Sequence, residues 1–290
     1  MKLNQNVEKL SRTKTAGILL KPDSPEIKET YLQIKKYFEN EDIEVLLDNN
    51  SAKMIGHEGL QFDDLCLKSD FLVSVGGDGT LISVSRRSYK YEKPVLGIHL
   101  GTLGFLTDIM LDELPGFIEK LKNKEYRIDN RMMINGDTKN NCFVAFNDIV
   151  ITRKSVSNML KVDAKIDGKA FNSYYGDGII ISTPTGSTAY NLSVGGPLVF
   201  PLTNAFIVTP IAPHSLTQRP LVLPADFVIE FTITDALGAI VIVDGQDSYE
   251  IDQYDSIKIE IANKKAKLIH RVERNYFEVL NEKLQWGNKI

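Results

Sequence analysis

Gly76-Gly77-Asp78-Gly79-Thr80 is the segment best equipped for chemistry. It follows the apolar run Phe71-Leu72-Val73-Ser74-Val75, so a buried strand is expected to run into a tight turn. Glycines there leave backbone N–H groups bare and let a large anion come close. A turn built only to hold phosphate would not place a carboxylate at its centre, because like charges repel. Asp78 therefore points to chemistry beside a phosphate: a base for a hydroxyl, a ligand for a metal, or both.

A second candidate is Asp177-Gly178-Ile179-Ile180-Ile181-Ser182-Thr183-Pro184-Thr185-Gly186-Ser187-Thr188-Ala189-Tyr190. A buried strand would deliver its hydroxyls and tyrosine into a turn shaped by Pro184 and Gly186. Hydroxyls and amides at such a turn satisfy phosphate oxygens, ribose hydroxyls and base edges without positive charge. The same composition also serves an ordinary capped turn leading into a helix. Gly195-Gly196-Pro197 follows, where backbone can approach a ligand or a neighbouring subunit closely. Asn147-Asp148 interrupts an apolar run from Val144 to Ile151, which conflicts with a purely structural strand. Adjacent strand residues face opposite ways, so only a bulge or a strand end would aim both at one ligand. A plain strand-end turn is the alternative. Leu100-Gly101-Thr102-Leu103-Gly104-Phe105-Leu106-Thr107 is a further glycine-bearing loop after a strand.

Strands expected at 15–20, 43–47, 71–75 and 95–99 alternate with helices at 24–40, 81–89 and 112–122. In the first helix Ile27, Tyr31, Ile34 and Phe38 recur at helical spacing. That alternation implies a parallel sheet with crossover helices, and the glycine turn falls at a strand's carboxyl end, where such sheets bind ligands. Beyond 126–131 short β-rich runs dominate, at 141–152, 161–166, 178–182, 227–234, 239–243, 257–261 and 266–269. Asp167-Gly168, Asp244-Gly245 and Ala262-Asn263-Lys264-Lys265 punctuate them as turns. Residues 273–284 read as a terminal helix whose Tyr276 and Phe277 need somewhere to pack. The expected organisation is an α/β domain over 1–126, a mostly β, layered-sheet domain over 127–270, and a terminal segment over 271–290.

The formal charge of −4 supplies no global basic field, so nucleic acid is not an expected partner, and a polyphosphate would be held by local amides, a few basic side chains or metal ions. Cys66 and Cys142 each lie beside apolar residues and are expected to be reduced and buried. Neither has metal-ligand spacing, and the histidines are scattered, so no protein-built metal centre is expected. No apolar leader precedes Arg12 and Lys14, and no apolar run approaches the roughly 20 residues of a membrane helix. The expected location is the cytoplasm, away from membranes.

Gly76 to Thr80, the 100–107 loop, Asn147-Asp148, the 177–190 string and Gly195-Gly196-Pro197 together closely resemble the bacterial NAD kinases. The motifs stand in that family's order, and the resemblance runs from about residue 17 into the terminal segment. The glycine-aspartate turn alone also resembles diacylglycerol and sphingosine kinases, and more distantly phosphofructokinases. The 183–190 string with Asn147-Asp148 is much more specific.

The resemblance implies transfer of the γ-phosphoryl group of ATP to the 2′-hydroxyl of the adenosine ribose of NAD, giving NADP. It implies Asp78 as general base, with Gly76, Gly77, Gly79 and Thr80 cradling phosphates and Mg²⁺, or another divalent cation, bridging the ATP oxygens. Asn147 and Asp148 would contact ribose and base, and Asp177 the nicotinamide end. Thr188, Ala189, Tyr190 and Ser193, with Asn191 and Leu192 between them, would surround the adenine half. Gln246 would line the pocket, and Ala212 would reach a neighbouring subunit's site. The resemblance further implies a Rossmann-like first domain binding ATP, a β-rich second domain binding NAD, and a terminal segment packing back on the first, giving Tyr276 and Phe277 their place. A homodimer or homotetramer is implied, with the site completed in trans.

Some positions depart from the family pattern. Asp148 stands where many members carry Glu, and Tyr175 where a basic residue often meets the product's phosphate. His99 stands where Asn is common and is expected to support the loop rather than to act in catalysis. Other readings differ in what they require. A lipid or sphingoid kinase needs an apolar acceptor groove and a membrane-facing surface, and no basic amphipathic stretch supplies one. A sugar-phosphate kinase needs converging arginines, whereas Arg86 and Arg87 sit on a predicted helix face. A non-catalytic NADP(H) sensor has no use for Asp78.

Overall fold

Continuous apolar runs become strands buried on both faces, and apolar residues three and four apart become helix faces turned toward them. The computed structural model describes residues 8–101, 104–155, 158–235 and 237–285. They form two units, one reaching Asn130 and resuming at Ala266, the other spanning Arg131–Lys265.

The first unit opens with β1 (Thr15–Leu20), α1 (Lys28–Glu39), β2 (Glu44–Leu47), α2 (Asn49–Ile55), α3 (Phe62–Lys68) and β3 (Phe71–Gly76). It continues through α4 (Asp78–Ser88), β4 (Val95–His99), β5 (Ile109–Met110), α5 (Leu114–Lys122) and β6 (Tyr126–Arg131). Tyr31, Ile34 and Phe38 are the buried face of α1, as the periodicity predicts, and every residue of β3 is buried. The sequence reading did not anticipate α2 and α3, both too short for a clear apolar period. Local chemistry starts and stops α2: the Asp48 carboxylate accepts the N–H groups of Asn50 and Ser51, and Gly56 ends the helix at φ 73°. The predicted helix at 81–89 begins earlier, at Asp78, with extended Gly77 as its N-cap.

The second unit comprises β7 (Ile134–Asp137), β8 (Cys142–Ala145), β9 (Asp148–Arg153), β10 (Leu160–Ile166), β11 (Lys169–Gly176) and β12 (Gly178–Ser182). After α6 (Tyr190–Ser193) come β13 (Ala205–Ile211), β14 (Leu221–Pro224), β15 (Ile229–Ile233), β16 (Ala239–Val243), β17 (Asp247–Ile251) and β18 (Ser256–Ile261). They pair in two sheets, β11-β10-β15-β18-β7-β8 and β14-β13-β12-β9-β16-β17. Side chains of both sheets, among them Phe231, Ile257, Ile151, Phe206 and Val241, share one apolar core. Alternation is clean in β15, where Ile229, Phe231 and Ile233 are buried and the residues between are not.

The chain then returns to the first unit as β19 (Ala266–Arg271) and α7 (Tyr276–Leu284). The first unit's sheet runs β2-β1-β3-β4-β19-β6, with β5 on β4. Residues 266–269, read from sequence with the β-rich half, thus belong to this sheet, where Leu268 pairs in parallel register with Val95. The second unit accordingly ends at Lys265 rather than at 270. Two side-chain expectations also change. Cys66 is buried but Cys142 is exposed on β8, and both are free thiols. In α7 the buried anchors are Val279 and Leu280, while Phe277 is half exposed. No helix among the described residues is long and apolar enough to cross a membrane.

Candidate functional site

In the first unit, β3 ends at Gly76 and α4 starts at Asp78, so the predicted turn stands at the carboxyl end of a central parallel strand. The Leu100 N–H donates to Gly76 O at 3.1 Å and ties the loop after β4 to this turn. Thr102 and Leu103 of that loop lie outside the described residues. The rest of it closes on Asp78. The carboxylate Oδ2 accepts the Phe105 N–H at 2.7 Å, and Oδ1 accepts the Thr107 N–H at 3.1 Å and the Thr107 hydroxyl at 3.2 Å. The Leu106 N–H is shared between Oδ1 and Oδ2, at 3.2 and 3.3 Å. Oδ1 is the more fully engaged oxygen; Oδ2 keeps acceptor capacity for a further donor.

The glycines divide by what surrounds them. A Cβ at Gly104 would stand 2.0 Å from Asp78 Oδ1, so the clasp needs glycine there. A Cβ at Gly76 would meet Thr80 Oγ1 at 2.5 Å. Gly77 and Gly79 are different: a Cβ on either meets nothing within 4 Å, and neither has positive φ. The chain itself does not require glycine at these two positions, and open space lies beside them.

Sequence reading missed the layer that supports the 105–107 loop. The Arg274 guanidinium donates to Phe105 O and, at 3.3 Å, to Thr107 O. It also lies 3.5 Å from Asp108 Oδ2, both side chains being buried. His270 Nδ1 approaches Asp108 at 3.4 Å. Burial raises the Asp108 carboxyl, but His270, Arg274 and Arg271 more than offset it and leave the group below the usual carboxylate range. A groove of about 660 Å³ is lined by Asp108, Arg271, Arg274, Met110, Val279 and His99. His99 is buried, as expected of a supporting residue, and neither ring nitrogen has a hydrogen-bond partner. Local sequence carries no signal for this cluster, since Arg274 and Phe105 are 169 positions apart.

In the second unit the chain leaves β8 at Ala145 and resumes as β9 at Asp148, so Asn147 lies in a break between strands. The Asp244 carboxylate holds that break, accepting the N–H groups of Phe146, Asn147 and Asp148 at 2.8, 2.7 and 3.0 Å. The sequence showed Asp244 only as part of a turn. Asn147 O accepts the Thr183 N–H at 2.8 Å, and Thr183 Oγ1 donates to Phe146 O at 2.7 Å. A Cβ at Gly186 would lie 2.2 Å from Asn147 O, so glycine lets the hydroxyl-rich turn press against the break. Asn147, Asp148, the 183–190 turn and Gln246, in the β16–β17 turn, therefore gather at one end of this sheet. Asn147 Oδ1 and Thr185 Oγ1 are buried there without a hydrogen-bond partner. Burial, reinforced by the Asp244 charge, pushes the Asp148 carboxyl up to about 7.

Tyr190 is half exposed and Ser193 is exposed, whereas Asn191 is wholly buried. The Asn191 amide donates to Ser187 O and Pro197 O and accepts the Thr209 hydroxyl at 2.6 Å, so its side chain braces the turn from behind. Thr188, Ala189 and Leu192 are partly buried.

Asp177, Tyr175 and Ala212 form a separate group. Asp177 lies at the opposite end of β12 from Ser182, about 17 Å away at ~3.4 Å per strand residue. Its carboxylate pairs with Arg153 at 3.0 Å, and its N–H donates to Ile211 O at 3.0 Å. Tyr175 stacks edge-on against His214 at 5.6 Å between ring centroids, and Ala212 has a left-handed φ of 42°.

These features find counterparts in known proteins. Residues 16–126 match the family model for the ATP-NAD kinase N-terminal domain, and 146–271 that for the C-terminal domain. The NAD kinase of Sulfurimonas denitrificans is 51% identical over 278 residues, covering 94% of this chain and 98% of that protein. The NAD kinase of Wolinella succinogenes is 50% identical over 286 residues, 97% of this chain and 99% of that protein. Among solved structures, yeast NADH kinase complexed with NADH superimposes with a TM-score of 0.87 at 26% identity, covering 99% of this chain and 90% of that one. An NAD kinase from Archaeoglobus fulgidus in complex with ATP gives 0.75 at 27% identity, covering 93% and 98%. The lipid-kinase and sensor readings find no support among these relatives. With about half its residues shared with curated NAD kinases along nearly its whole length, the chain belongs to the NAD kinase family and is a phosphotransferase acting on NAD.

Proposed function

We propose that Asp78 is the general base of this NAD kinase reaction. The adenosine 2′-hydroxyl of NAD donates its hydrogen bond to Asp78 Oδ2. As that oxygen attacks the γ-phosphorus of ATP, the bond from γ-phosphorus to the β,γ-bridging oxygen breaks, the proton passes to Oδ2, and NADP and ADP form. With a loose transition state the proton moves late, so orienting the hydroxyl matters more than strong basicity. The observation that carries this reading is the asymmetry of the clasp. Oδ1 is anchored by the loop, Oδ2 retains acceptor capacity, and the glycines beside it leave space that the chain itself does not fill.

Among the described residues no group of three or more His, Cys, Asp or Glu side chains converges as a metal centre. A divalent cation entering with ATP would find in Asp78 a carboxylate beside the open space at Gly77 and Gly79. When bound, Mg²⁺ offsets the repulsion between Asp78 and the polyphosphate. Gly76, Gly77, Gly79 and Thr80 offer backbone and hydroxyl donors to phosphate. Asn147 Oδ1 and Thr185 Oγ1, buried without partners, are suited to ribose and base edges, and exposed Tyr190 to a ring face. Buried Asn191 acts by shaping this turn.

In a homodimer or homotetramer Ala212, at the far end of β12 from the 183–190 turn, reaches a neighbouring chain's site, while Asp177 serves the nicotinamide end of the dinucleotide and Tyr175 lies near the product's phosphate. The free thiols of Cys66 and Cys142 suit the reducing cytoplasm. The test incubates purified protein with ATP, Mg²⁺ and NAD and reads NADP through an NADP-specific dehydrogenase. NADP formation should require both substrates, disappear with EDTA and return with added Mg²⁺. Turnover unaffected by EDTA would remove the cation from the mechanism.

A further inference from the structure

The Phe105 carbonyl and the Leu106 N–H belong to the same peptide group. Its oxygen accepts from Arg274, and its hydrogen points at the Asp78 carboxylate. We infer that Arg274 is a positioning residue for Asp78, acting through this single peptide group and through the Thr107 carbonyl. A cation on a carbonyl oxygen polarises the peptide and strengthens its N–H as a donor. Fixing the Phe105 carbonyl fixes the plane of the peptide that presents the Leu106 N–H to the carboxylate, and the bond to Thr107 O holds the far end of the same loop.

Arg274 is itself held in place. Its side chain is only 6% exposed and lies 3.5 Å from Asp108, which His270 and the Arg271 N–H approach from β19 at 3.4 and 3.3 Å. The Arg274 N–H caps back onto Arg271 O at 3.3 Å. The Asp78 charge is close enough to act on the guanidinium. The return of the chain into the first unit's sheet is thereby tied to the orientation of one carboxylate. This gives the terminal segment a role beyond covering apolar surface. Arginine suits the position because its planar fork spans two carbonyls, which an ammonium does not.

The inference rests on Asp78 being the base, and a double-mutant cycle on the full-length protein separates the two claims. Arg274→Gln should lower kcat about tenfold and leave KM for NAD within about twofold, the pattern of an interaction realised in the transition state. In the Asp78→Asn background the same substitution should change kcat by less than about twofold, because the group it positions is gone. Equal losses in both backgrounds, or a change confined to KM, would overturn the relay. Should Arg274→Gln not fold, Arg274→Lys carries the test, because it keeps a cation beside Asp108. It should lose kcat in the wild-type background and lose nothing further beside Asp78→Asn, and wild-type kcat in folded Arg274→Lys would overturn the relay. If Asp78→Asn alone retains wild-type kcat, the base assignment fails and the relay with it. If Asp78→Asn is crippled while Arg274→Gln is not, the relay alone fails.

Discussion

The first unit aims the N–H groups of Phe105, Leu106 and Thr107 at the carboxylate of Asp78, and the second aims those of Phe146, Asn147 and Asp148 at the carboxylate of Asp244. Both are runs of three consecutive amides, the kind of concavity that holds an anion. They differ in what stands outside. Beside Asp78 the glycines leave open space, whereas beside Asp244 the neighbouring carboxylate, Asp148, is buried and raised to about 7. An amide clasp by itself therefore does not mark a reacting group. In one unit it presents the carboxylate proposed as the base; in the other it holds a strand break in shape and leaves the adjacent carboxyl, raised to about 7, on the edge of protonation at neutral pH.

The clasp on Asp78 should be disrupted most strongly by Gly104→Ala. The added Cβ would stand 2.0 Å from Asp78 Oδ1, a clash that only movement of the carboxylate relieves. The fold should survive and kcat should fall about 10²-fold, the scale of losing a positioned base. Steady-state kinetics beside a thermal melt would check it, and kcat within twofold of wild type would show that the clasp is dispensable.

In the second unit the corresponding variant is Asp148→Asn. A carboxyl raised from 3.8 to about 7 keeps its proton in the native state while the unfolded chain loses it. Stability should therefore fall as pH rises from about 4 to about 7 and level off above, at up to ~1.4 kcal/mol per pH unit from this group. Denaturant midpoints across that range should lose this decline in Asp148→Asn. An identical slope in both proteins would place the titration elsewhere.

What was legible in the sequence was local. The strand into Gly76 and the turn at Asp78 follow from an apolar run and glycine spacing. The Asn147-Asp148 break shows as polar residues in a strand pattern. Partners far along the chain leave no such trace. Nothing near Asp78 announces that Phe105 to Thr107 will clasp it, and nothing near Asp148 announces Asp244. Residues 266–269 have the apolar pattern of a strand, but that pattern does not say which sheet will take it. After 257–261 and a turn, the strand leaves the β-rich unit and adds to the first unit's parallel sheet. Helices α2 and α3 escaped because each spans only seven residues and is defined by caps and neighbours more than by periodicity.

The role of Asp78 is tested most directly by Asp78→Asn, measured for kcat by NADP formation and for NAD affinity by calorimetry. Asn keeps the shape and an acceptor oxygen for the clasp but cannot take the hydroxyl proton. In that variant kcat should fall about 10²–10⁴-fold while the Kd for NAD changes by less than about threefold. Wild-type kcat in that variant would contradict that role.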